Sequence, residues 1–230
     1  MLIGWIVALA LASTPMQTAP TPSISPEAAA LIAPVGQAIE AEKARQAALP
    51  PAADNREKLE RMGVLDQVGR RAMNPIDLSV LPPEQRQPAM RALWAPIKAM
   101  DDQLMAELMT MVPEEGWFYR SQWGDQAAGA AFLIVQHSNV EAWRRFVPVL
   151  EPLVATGEVH GPSYALMLDR LAMNDGRLQR YGSQMTCVDG RWALAPLEDP
   201  DNVDALREAM GFGESLETYL ARFGAMPPCG

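Results

Sequence analysis

Between residues 26 and 174, apolar positions recur at intervals of three and four, the spacing of helices with one buried face, and prolines and glycines cut the pattern into segments. Residues 26–49 are Ala-rich with late charges (Glu40, Glu42, Lys43, Arg45), a good intrinsic helix former with a narrow apolar face that Pro50-Pro51 ends. A second helix is predicted over 54–73, where Leu59, Met62, Leu65, Gln67 and Val68 fall near helical spacing and Asp54 can cap. Asn74-Pro75 and Leu81-Pro82-Pro83 bracket a short irregular connection. The longest pattern runs over 83–112, through Met90, Leu93, Trp94, Ile97, Met100, Leu104, Leu108 and Met111. Pro88 suits its first turns, whereas Pro96 inside the pattern predicts a kink or a break. Its methionines read as adaptable core packing rather than a binding face.

After Pro113 the chain turns into Trp117-Phe118-Tyr119, an aromatic cluster on a loop, and Asp125 can then cap a helix that ends at Gln136-His137. Ser138 with Glu141 three residues later forms a capping box for a helix over 139–155, which Gly157 stops. Gly161-Pro162 opens the next helix and Asn174-Asp175-Gly176 closes it. Three helices with short connections in succession suit an antiparallel bundle. The period then changes. Residues 185–188 and 191–194 flank Asp189-Gly190, a strong short-range hairpin signal. Asp201 can cap a helix to Met210, and a last short helix covers 216–223 before Gly224. From Glu198 onward acids outnumber bases, which marks a solvated face.

The fold these segments predict is mainly α: a compact, bundle-like helical domain with one C-terminal β-hairpin and an N-terminal helical extension. The expected division is a signal peptide over 1–19, a Pro/Ala-rich linker and helical region over 20–82, and a helical domain over 83–230 with its hairpin near 185–194. The core is expected in the last ~150 residues, in keeping with ordinary domain size.

Residues 1–12 form an uncharged apolar run too short to span a bilayer comfortably, with small-residue cleavage sites at Ala10-Leu11-Ala12 and Gln17-Thr18-Ala19. This reads as a secretory signal whose removal leaves a periplasmic or secreted protein with no membrane attachment; the alternative is an inner-membrane anchor at 1–12. In an oxidising compartment Cys187 and Cys229, the two cysteines of the chain, pair most economically as a disulfide, worth about 4 kcal/mol for a loop of that length; two free thiols are the other reading. A net charge of −9 argues against nucleic acid as a partner and leaves a small molecule or a protein. Two cysteines and two histidines are too few for a structural zinc site, and no Asp-rich calcium loop stands in the sequence.

Polar residues embedded in apolar runs are the informative anomaly. Asp169 and Arg170 are the only charges between Tyr164 and Met173, so at least one of them needs a partner at a buried position. Gln136-His137 ends an apolar helix in the same way, where the macrodipole favours a cation and an acid such as Asp169 could orient the imidazole. Between the third helix and the hairpin, Arg177 to Gln184 offers guanidinium, phenol, hydroxyl and amide groups that could bind a ligand or lock the hairpin onto the bundle. There is no Gly-x-Ser-x-Gly elbow, His-Glu-x-x-His or Walker loop, and Gly211-Phe212-Gly213 lacks a dinucleotide fold's third glycine, so no cofactor is implied.

The stretch from Trp117 to Phe223 resembles a bacterial family of exported proteins, domain of unknown function 6624. The resemblance rests on Leu133-Ile134-Val135-Gln136-His137, Asp169-Arg170, Gln179 to Gln184, Cys187 to Trp192 and Glu198-Asp199-Pro200, with Ser183 where the family carries Thr as often as Ser. It implies export and supplies no reaction. The leading expectation is a ligand-binding or interaction domain with a polar pocket of Gln136, His137, Asp169, Arg170, Tyr181 and Gln184. A second is a hydrolase or lyase with His137 as general acid or base, Asp169 orienting it and Arg170 stabilising an anion. A third gives all six a structural role.

Overall fold

The computed structural model describes residues 24–222 and Cys229. The apolar leader over 1–19 and the stop at Phe223-Gly224 lie outside the described residues. Eight α-helices and one two-stranded antiparallel sheet follow in order among them: α1 (Pro26–Ala47), α2 (Asn55–Met73), α3 (Pro83–Met109), α4 (Arg120–His137), α5 (Val140–Ala155), α6 (Gly161–Asn174), β1 (Met185–Val188), β2 (Arg191–Leu194), α7 (Val203–Ala209) and α8 (Leu216–Ala221). The fold is therefore mainly α with a C-terminal hairpin. None of the described helices is long and apolar enough to cross a membrane.

Helices α1 and α2 are built into the bundle. Ile32, Val35 and Ile39 of α1 and Leu59 and Met62 of α2 join Leu93, Ile97, Leu104 and Leu108 of α3 in one continuous core with Ile134, Phe146, Leu150 and Met167. The core thus begins at Ala28, well before the last ~150 residues in which sequence placed it. The physical reason is that α1 and α2 each carry only a narrow apolar stripe, which finds burial against α3 and α4 rather than between themselves alone. The connecting loop Trp117-Phe118 is also interior: Trp117 meets Phe118 and Phe146 edge-on at centroid distances of 5.8 and 5.3 Å.

Several local expectations shift. Helix α3 runs unbroken through Pro96. Helix α4 starts at Arg120 and bends at Gly124, whose φ of 78° and ψ of 160° interrupt the helix. Asp125 takes the Arg120 guanidinium at 2.8 Å instead of capping. The cap of α5 is Asn139, accepting from Ala142 N–H at 3.0 Å, because Ser138 turns its hydroxyl back to the Val135 carbonyl at 2.8 Å. Asn202, not Asp201, precedes α7, and its side chain makes no cap.

The hairpin follows its turn chemistry. Asp189 and Gly190 both have positive φ, 50° and 75°, which is the two-residue turn whose twist matches that of paired strands. The register sets Met185 opposite Leu194 and Cys187 opposite Trp192. Cys187 and Cys229 form a disulfide with a Cα–Cα distance of 5.8 Å, and Cys229 N–H donates to Gly190 O at 3.1 Å, so the chain end is stapled to the hairpin.

Helices α2 and α4 pack closely where Gly63 faces Ala130. A methyl group added at Gly63 would stand 2.7 Å from Ala130 Cβ, closer than side-chain carbons approach. Gly63→Ala would gain about 1 kcal/mol of helix propensity. Overpacking at a rigid backbone costs typically 1–3 kcal/mol, so the steric term wins. The substitution is expected to lower unfolding free energy by up to about 2 kcal/mol in urea melts; an increase in stability would show that the two helices can part without cost.

Candidate functional site

The tight α2–α4 contact fixes what happens further along the same pair of helices. Asp66 falls on the apolar stripe of α2, after Leu59 and Met62, and its side chain has no exposed surface. His137, the last residue of α4, donates from Nδ1 to the Asp66 carboxylate, 2.9 Å from each oxygen. Gln67 Nε2 donates to Asp66 Oδ2 at 2.6 Å, and Arg70 stands 3.8 Å from Oδ1 while donating to the Asp66 carbonyl at 2.8 Å. Arg70 in turn grips Asp101 of α3 with two bonds of 2.9 Å. Burial pushes the Asp101 carboxyl up from its ordinary value, and the Arg70 guanidinium pulls it down only in part. The result is a connected row, Asp101, Arg70, Asp66 and His137, in which each buried acid has a partner.

Arg70, Asp101 and His137 of this row line an open cleft of about 680 Å³ between five helices, with Asp66 buried behind them. Arg91, Trp94, Ala95 and Lys98 line it from α3, Gln136 and His137 from α4, Trp143 from α5 and Arg170 from α6. Because Nδ1 of His137 is committed to Asp66, Nε2 is the ring nitrogen left for the cleft. Trp143 donates to the Val135 carbonyl at 3.0 Å, and the Arg170 guanidinium lies 5.6 Å from the Trp143 ring. Arg170 makes one long bond, 3.4 Å, to the Gln136 carbonyl. Burial lowers the pKa of Arg170 from the usual guanidinium value. The group stays charged at neutral pH.

The six residues that sequence grouped as one pocket divide between two places. Gln136, His137 and Arg170 line the cleft. Asp169 is fully buried and accepts from the backbone N–H of Arg180 (2.7 Å), Tyr181 (3.1 Å) and Ser183 (3.0 Å) and from the Ser183 hydroxyl (2.9 Å). Asp169 is therefore not the orienting partner of His137: successive helix residues point about 100° apart, so Arg170 enters the cleft while Asp169 turns to the loop behind it. Tyr181 is buried against Phe212, and burial raises its phenol above the ordinary value. Gln184 donates to Ser183 Oγ at 3.0 Å and shares backbone bonds with Gln179.

Two residues outside that group complete the C-terminal support. Gln179, with no exposed surface, donates to the Ala195 carbonyl at 2.7 Å and to that of Gln184 at 3.0 Å, which ties the start of β1 to the segment after β2. Arg207, fully buried, stacks on Phe212 at 4.2 Å and Tyr219 at 5.1 Å and donates to the Tyr181 carbonyl at 2.9 Å. His160 lies apart from the cleft, with Nδ1 2.9 Å from Ser163 Oγ beside a smaller cavity of about 330 Å³. Among the described residues, no three His, Cys, Asp or Glu side chains converge as a metal site would require.

Sequence reasoning missed Asp66 and Arg70, although a signal was present. An aspartate seven residues after Leu59 and four after Met62 sits on the buried stripe of an amphipathic helix. It needed a partner for the same reason as Asp169.

A family model, family of unknown function (DUF6624), matches residues 82–224. No curated protein and no solved structure matches the chain. The matched stretch contains His137 and Arg170, while Asp66 and Arg70 precede it.

The two buried aspartates should respond differently to amide substitution. Asp169→Asn turns an acceptor for several N–H groups into a partial donor and is expected to cost about 2–3 kcal/mol in urea unfolding while leaving the His137 imidazole NMR signals in place. Asp66→Asn should move those signals. If Asp169→Asn moved them as much as Asp66→Asn, the separation of the two groups would be refuted.

Proposed function

The chain belongs to this family of unknown function, which assigns no reaction, and we propose that it is an exported ligand-binding protein whose site is the cleft between α2 and α6. Export is supported by the Cys187–Cys229 disulfide, since such bonds persist in oxidising compartments, and agrees with the apolar leader. The observation that carries the binding reading is the fixed imidazole. A fully buried carboxylate holds His137 by Nδ1, and Nε2 is left to an open cleft of about 680 Å³ that accepts a small molecule. Gln136 and Arg170 supply further polar contacts from the same walls.

The same hydrogen bond favours a second reading, in which His137 moves a proton. An acid on Nδ1 fixes the ring orientation and tautomer so that Nε2 can take a proton from a bound group and return it. Asp66 fills the orienting role that sequence had given to Asp169, and Arg170 stands where developing negative charge could be met.

A panel of metabolites and cell-wall fragments screened by thermal shift tests the site. A ligand at hundredfold excess over its Kd is expected to raise the melting temperature of the wild type by about 5–10 °C. The shift should disappear in His137→Gln and persist in His160→Gln. Shifts that survive in His137→Gln would place the ligand elsewhere. Turnover of a bound compound that vanishes in both His137→Gln and Asp66→Asn would favour the proton-transfer reading over binding alone.

A further inference from the structure

We infer that the cleft takes an oxyanion, a carboxylate or phosphoryl group, carried on a flat apolar body, with Arg170 and Arg91 gripping the charge and Trp94 covering the body. The inference rests on the reading of the cleft as a binding site and names the chemistry of its ligand.

The charge balance of the cleft is opposite to that of the chain. The whole sequence carries −9, yet Arg70, Arg91, Lys98 and Arg170 line the cleft against a single lining acid, Asp101. Two of these cations are already matched: Arg70 by Asp101, and Lys98 by Asp102. No carboxylate lies within ion-pair distance of Arg91 or Arg170 among the described residues. Arg170 is the more telling of the two. It is half-buried, it touches the face of Trp143, and its one protein acceptor is the Gln136 carbonyl at 3.4 Å, so most of its five N–H donors have no protein partner. A half-buried guanidinium left in that state gains from a charged acceptor, which it can meet with two parallel bonds. His137, which lines the same cleft from α4, can add a third contact to the anion's oxygens through Nε2 when protonated.

The body of the ligand follows from α3. Arg91, Trp94 and Lys98 recur at three and four on one face, so an indole that is 40 % exposed stands between two cations along the cleft. An exposed tryptophan beside cations suits a planar group whose charge lies at one end, because the ring covers apolar area while the guanidinium meets the oxygens. A bare anion would leave that surface uncovered, and a neutral sugar would leave the two arginines unmatched.

Full-length mature protein titrated with phenyl phosphate, benzoate, benzyl alcohol and inorganic phosphate tests this, with imidazole NMR as the locator and calorimetry for affinity. Phenyl phosphate or benzoate should move the His137 signals and not those of His160, and should weaken with added salt. Their relative affinity identifies which oxyanion is preferred. Arg170→Gln and Arg91→Gln should each weaken the better probe by ~10-fold or more, as expected for loss of a charge-assisted bond. Arg91 is exposed, so its variant should keep the wild-type melting temperature and reads binding alone. Benzyl alcohol binding as tightly as the anions, or neither arginine mattering, overturns the oxyanion while leaving the cleft as a site. Inorganic phosphate binding as tightly as phenyl phosphate overturns the flat body. If no probe moves His137 but a neutral compound from the broader panel does, this inference fails and the binding reading stands; if nothing moves His137, both fail.

Discussion

Asp66 is a carboxylate with no exposed surface, and it is compatible with folding because His137, Gln67 and Arg70 all reach it. A buried acid stripped of such partners would cost several kcal/mol, a large share of the stability of a domain this size. The contact depends in turn on the close approach of α2 to α4 at Gly63 and Ala130, where there is no room for one further methyl group. Packing without a side chain at one position thus sets the hydrogen bond at another, and that bond decides which nitrogen of His137 meets the cleft. Asp101 and Arg70 extend the arrangement to α3, so three helices are held in register by charge as well as by apolar burial.

The second buried acid does different work with the same chemistry. Asp169 gathers the N–H groups of a loop that has no ladder of its own, and so turns irregular backbone between α6 and the hairpin into a fixed support. Gln179 and Arg207 continue that role toward the sheet and α7, and the disulfide closes the chain end onto the turn. The C-terminal third is thin in apolar core but rich in such specific bonds. They hold α6 in place from behind, and α6 presents Arg170 to the cleft in front.

Legibility followed the range of the forces involved. Helix starts and stops depend on neighbours within a turn, so the Asp54 cap, the α6 boundaries and the Asp189-Gly190 hairpin could be read from sequence. The errors at Asp125 and Ser138 are also local: two competing polar groups stood within a turn of each other, and the choice between them depended on which carbonyl or guanidinium was in reach. His137, Gln136 and Arg170 stood out because polar groups in apolar runs are energetically exceptional. What could not be read was their partner. Asp66 lies 71 residues from His137 in sequence, and a spacing pattern carries no information about which helix crosses which.

The sequence by itself determined that the chain is mainly helical with one hairpin, and that a few polar residues needed buried partners, because propensity, capping and desolvation act on each residue wherever it is placed. Only the tertiary structure decided that α1 and α2 belong to the core, that Asp66 rather than Asp169 holds His137, and that Arg170 and Arg91 share one cleft. Those outcomes are set by side-by-side packing of distant segments, where the absence of a single Cβ lets two helices approach closely enough for Asp66 to meet His137.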